Sequence, residues 1–121
     1  MDLREKKPNL VLDKSFDFAI KIVDLHKALV NENKEYVLSK HVLRSGTSIG
    51  ANVREGVVAQ SRREFIAKMN LSLKEAHETE YWLELLAHSK YIEENSPLFS
   101  DIDSLIRILT SIIKSSNENS K

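Results

Sequence analysis

Leu43-Arg44-Ser45-Gly46-Thr47-Ser48-Ile49-Gly50-Ala51-Asn52-Val53-Arg54-Glu55-Gly56, followed after a short joint by Ser61 through Leu86, is the stretch on which the fold turns. Its first half sets small residues among apolar ones at helical spacing, with Leu38, Val42, Ile49, Val53 and Val57 on one line. Gly46 and Gly50 lie one turn apart on a common side. Each costs about 1 kcal/mol in a helix relative to alanine. The cost is explained either by a neighbouring backbone that comes close or by a flexible kink. The second half opens on Ser61-Arg62-Arg63-Glu64, a capping box in which the serine oxygen accepts the Glu64 amide and the glutamate reaches back to the Ser61 amide. Phe65, Met69, Leu73, Ala76, Leu83 and Leu86 form its apolar seam. Arg63, Ala67, Asn70, Lys74, His77, Glu84 and His88 form its wet side, and Leu71, Glu75, Glu78, Trp82 and Leu85 a mixed flank.

Outward from this pair the chain is equally helical. Phe16, Ile20, Val23 and Val30 make one stripe of a first helix, and Phe18, Ile22, Leu25 and Leu29 a second. A surface helix of a small monomer needs one. A last helix opens at Pro97, well suited to a first turn, and carries Leu98, Ile102, Leu105, Leu109 and Ile112 at heptad-like spacing. With only three glycines and two prolines in 121 residues there are few turn signals, and no segment alternates with period two. The reading is all-α: one domain over residues 1–121, an antiparallel up-down-up-down four-helix bundle with helices at about 13–31, 35–58, 61–92 and 97–115, a loose arm at 1–12 and a frayed tail at 116–121.

Composition narrows the function. Eighteen Lys and Arg balance eighteen Asp and Glu, so no global field draws the chain to nucleic acid or anionic lipid. The absence of cysteine excludes disulfides and thiolate chemistry and fits the cytoplasm. The charged start, Met1 to Pro8, lacks the apolar core of a signal peptide, and no run reaches the length of a membrane span.

Few constellations carry chemistry. None of His26, His41, His77 and His88 has a glutamate three residues before it, so the di-iron bundle pattern is missing and no metal or cofactor is expected. Asn52, Arg54, Glu75 and Glu78 are read as a structural polar cluster in which Arg54 pairs with Glu75 or Glu78; a catalytic carboxylate pair is the weaker reading, because no nucleophile and base assemble around it. The cations Arg44, Arg62, Arg63, Lys68 and Lys74 are interleaved with glutamates, and i,i+4 pairs Glu64–Lys68 and Lys74–Glu78 account for part of them. Tyr81-Trp82, beside Leu85, reads as packing or interface rather than a base-stacking platform. Gly46-x-x-x-Gly50 lacks the Lys-Ser/Thr ending of a phosphate loop.

The stretch Leu43 to Glu55, the capping box with Phe65, and Leu73-Lys74-Glu75-Ala76-x-Glu78-Thr79-x-Tyr81-Trp82-Leu83 resemble a bacterial family of proteins named after open reading frames in 23S rRNA intervening sequences. The resemblance covers nearly the whole chain. It implies a left-handed four-helix bundle that assembles as a ring-shaped homopentamer, and no established catalytic residues. The family's recurring positions fall here on Ser48, Asn52, Arg54, Glu55, Glu64, Phe65, Glu75, Glu78 and Trp82, with structural or interfacial roles implied. A related accessory protein of diversity-generating retroelements shares the shape, is strongly basic and works with nucleic acid and a reverse transcriptase. The zero net charge here departs from it.

The expectation is therefore a non-enzymatic, self-assembling interaction scaffold. An RNA- or ribonucleoprotein-binding accessory is the alternative, and an enzyme the least supported. The interface candidates are Phe18, Ile22, Gly46, Gly50, Leu71, Trp82 and Leu85.

Overall fold

A computed structural model of the chain describes the backbone of residues 3–119 and the side chains of residues 9–118. Four helices and no strand are present among the described residues: α1 (Leu3–Asn31), α2 (Leu38–Val57), α3 (Arg62–His88) and α4 (Pro97–Asn119). Each packs on its sequence neighbours and α1 closes on α4, whereas the diagonal pairs do not approach. Side-chain contacts fix the directions. His26 reaches Ser39 while Ile22 meets Gly46; Ser45 meets Thr79 while Glu55 meets Lys68. Higher numbers in α2 thus meet lower numbers in both α1 and α3. The all-α bundle read from the sequence is the fold observed.

The core is one cluster. Val11, Phe18, Ile22 and Leu29 of α1 meet Val42, Ile49 and Val53 of α2, Met69, Leu83 and Leu86 of α3, and Ile102, Leu105 and Leu109 of α4. The apolar lines expected for α3 and α4 lie where their periodicity places them, and all seven wet-side residues of α3 are exposed. The first helix departs from expectation. It begins at Leu3 rather than near Asp13, because Val11 is fully buried and Leu12 packs on the same cluster, so the helix must be in register before them. Residues 1–2 of the expected arm and 120–121 of the expected tail lie outside the described residues.

The helix ends show what a sequence without turn glycines conceals. α3 stops at His88, four residues short of expectation, because Lys90 takes φ 70°. The Tyr91 amide then donates to the Leu86 carbonyl and the Lys90 amide to Ala87, a Schellman closure with lysine in the position where glycine is usual. Lys34, at φ 55°, turns the chain out of α1, and the Glu35 amide donates to the Leu29 carbonyl. At the start of α3 the Ser61 oxygen accepts the Glu64 amide as expected, but the Glu64 carboxylate accepts from the Gln60 amide, one residue beyond the box. α2 begins at Leu38, where the Glu35 carboxylate accepts the Ser39 amide. α4 continues to Asn119 rather than fraying at 116.

Small residues let α2 sink between its neighbours. A Cβ built on Gly46 would lie 2.8 and 2.9 Å from the two γ-carbons of Ile22, and one on Gly50 would lie 3.3 Å from the Ser15 carbonyl oxygen. On the other side of α2, Thr79 donates to Ser45 at 2.9 Å, and Ser72 donates to the Ile49 carbonyl at 2.8 Å. Gly46 and Gly50 are therefore the close-approach positions of α1 on α2 inside the protomer, not positions of an intersubunit face. Phe18 and Ile22 likewise belong to the protomer core, 2% and 0% exposed.

Because the γ-branches of Ile22 sit next to its own backbone and cannot swing away, Gly46→Ala should lose more by overpacking than the roughly 1 kcal/mol it gains in helix propensity. A denaturant series should show a lower midpoint for Gly46→Ala, and Ile22→Ala, which removes both γ-carbons, should cost less in the Gly46→Ala background than in wild type. Strictly additive single effects would show that the two positions do not compete for space.

Candidate functional site

Two surface features stand out, and α2 takes part in both. The first is a polar and aromatic cluster across α2 and α3. Arg44 donates one guanidinium nitrogen to Glu75 at 2.9 Å and the other to Glu78. The Trp82 indole N–H donates to the same Glu78 oxygen at 2.9 Å, and the His41 ring lies on Trp82 with centroids 4.5 Å apart and planes 14° from parallel. Tyr81 meets Trp82 edge-on at 5.0 Å. The Trp82 hydrogen bond, helped by the Arg44 guanidinium and by His41, outweighs partial desolvation and holds the Glu78 carboxyl below the usual carboxylate range. The hydrogen bond from Arg44 to Glu78 raises the guanidinium above its ordinary value in turn.

This cluster is the expected one with a different cation. Arg54 does not reach Glu75 or Glu78; its guanidinium carbon lies 5.7 Å over the Phe16 ring. The register that sets Ser45 against Thr79 brings Arg44 level with Glu78 and leaves Arg54 nearly three turns away along α2. Asn52 stays local, donating to the Ser48 carbonyl. The pair is also more open than a desolvated seam, with the Arg44 side chain 52% exposed against 17% for Glu75. Neither expected i,i+4 pair forms: Lys68 pairs with Glu55 on α2, while Glu64 is engaged at the cap. His41 was not singled out, because only the register between helices places it on Trp82.

The second feature is an open groove of about 560 Å³ between α1 and the end of α2, lined by Leu12, Phe16, Val57 and Val58 with Asp13, Asp17 and Arg54. Phe16 and Ile20 are 53% and 49% exposed, one turn apart, and Val58 is 75% exposed. Of the two stripes of the first helix, it is the one with Phe16 and Ile20 that faces out. Across the molecule Leu71 and Tyr81 on α3 are also exposed, at 46% and 57%, while Trp82 and Leu85 are half-buried. Among the described residues no group of His, Asp and Glu is placed to hold a metal ion, and no helix is long and apolar enough to cross a membrane.

The polar and aromatic cluster sits on the segments that carry the recognisable words, whereas the groove takes only Arg54 from them. The model of the 23S rRNA-intervening sequence protein family matches residues 7–111. The chain belongs to this family. A crystal structure from Bacteroides thetaiotaomicron, described as a protein of unknown function from the S23 ribosomal protein family, is 56% identical, covers 89% of this chain and 98% of its own, and superposes with a TM-score of 0.87. No curated protein sequence matches. In this member of the family, the ion-paired glutamates and the stacked tryptophan lock α2 to α3 at the surface, and neither groove nor cluster assembles a nucleophile with a base.

Two outcomes follow for the cluster. Trp82→Phe removes the leading cause of the Glu78 shift, so an NMR carboxyl titration should show Glu78 moving up towards the ordinary range; an unmoved midpoint would mean that Arg44 alone sets it. Since the folded value is depressed, this stabilisation is complete above the ordinary glutamate range and is lost as pH falls through the folded value. Trp82→Phe should therefore flatten the acid limb of the stability curve. At neutral pH Arg44→Ala should cost about 1 kcal/mol or less, as for an exposed pair, and Arg54→Ala a similar or smaller amount, read as denaturant midpoints.

Proposed function

We propose that this chain is a non-enzymatic scaffold that assembles with copies of itself into a closed ring, and that its cellular role is exercised by the assembly. The observation that carries this reading is the outward stripe of α1. The core is complete without it, yet Phe16 and Ile20 stand half-exposed beside Leu12, Val57 and Val58. Scattered apolar residues on a surface are ordinary, but a continuous patch over two helices marks a contact surface. Net charge of zero leaves little repulsion to oppose association. Closed rotational symmetry buries such patches without open-ended growth. A copy number of five is what the family resemblance implies.

An RNA- or ribonucleoprotein-binding role has weaker support. Of the five cations that might form a basic surface, Arg44 is paired with Glu75 and Glu78, and Lys68 with Glu55. What remains is a few charges rather than a groove that tracks phosphates.

Light scattering after size exclusion at micromolar concentration should give a mass that is a multiple of the 13.9 kDa chain. Phe16→Glu should lower that mass while leaving the thermal melt of the protomer nearly unchanged. A wild-type monomer would remove the reading, and salt-sensitive RNA affinity well above that of an unrelated neutral protein would replace it with the accessory role.

A further inference from the structure

No further inference is drawn: the strongest candidate, the open groove between α1 and the end of α2, belongs to the contact surface already described, and with Asp13 and Asp17 lining it together with Arg54 nothing in the structure shows what else covers it.

Discussion

The structure depends on how closely α2 approaches the helices on either side of it. Facing α1 it presents Gly46 to the branched side chain of Ile22 and Gly50 to the backbone of Ser15. Facing α3 it presents Ser45 and the Ile49 carbonyl to the hydroxyls of Thr79 and Ser72. Larger residues on either side would force the helices apart and open the core, where unfilled volume is costly. The serine and threonine contacts satisfy buried hydroxyls at each step. A one-turn slip of α2 against α3 would take the Ile49 carbonyl from Ser72 and Thr79 from Ser45, leaving Thr79 only its bond to the Glu75 carbonyl, and a buried hydroxyl left unpaired costs about 1–3 kcal/mol. Register between the two helices is therefore tightly specified, and the surface chemistry inherits it.

That inheritance decides which groups meet outside. With Ser45 against Thr79, the next residue back on α2, Arg44, is the one that spans to Glu75 and Glu78, and His41 falls one turn further on, over Trp82. The exposed ion pairs contribute little individually. The indole hydrogen bond and the stacked ring join them into a continuous cap over the α2–α3 seam. The same sinking of α2 has an opposite effect at its far end. There Val57 and Val58 emerge beside Phe16, and the apolar residues left over from core formation collect in one groove.

What the sequence conveyed and what it withheld divide along this line. Periodicity within one helix is local, so the seams of α3 and α4 and the capping serine at 61 were legible. Contacts between helices depend on register and rotation, which a single chain does not encode locally. Arg54 was the expected partner of the glutamates because it lies in the same recognisable word; Arg44 holds the place because of a Ser45–Thr79 contact that no spacing rule reveals. The first helix is the sharpest case. Its polar strip, Asp17, Lys21, Asp24 and Asn31, runs between the two apolar stripes at nearly equal angles to both, so amphipathicity cannot say which is inside. Ser15, fully buried against Gly50, settles it in favour of Phe18, Ile22 and Leu29. Small residues were the informative ones on this helix as on α2, and hydrophobicity scales give them little weight. Helix ends were obscured for a related reason, since Lys34 and Lys90 take left-handed conformations without the glycine that ordinarily announces them.

Zero net charge hides an uneven distribution. Along the α2–α3 and α1–α4 seams opposite charges are paired within the chain, as Glu55 with Lys68 and Lys21 with Asp101 show. On the outer faces charges of both signs stand without an ion pair among the described residues, Asp13, Asp24 and Lys27 on α1 and Arg63, Glu64 and Lys74 on α3, near exposed apolar side chains. Apolar patches alone attract without discrimination, and a neutral protein that displayed two of them would adhere in any orientation. The charges beside them supply discrimination by position rather than by overall sign, because a contact that leaves one of them opposite a like charge is penalised.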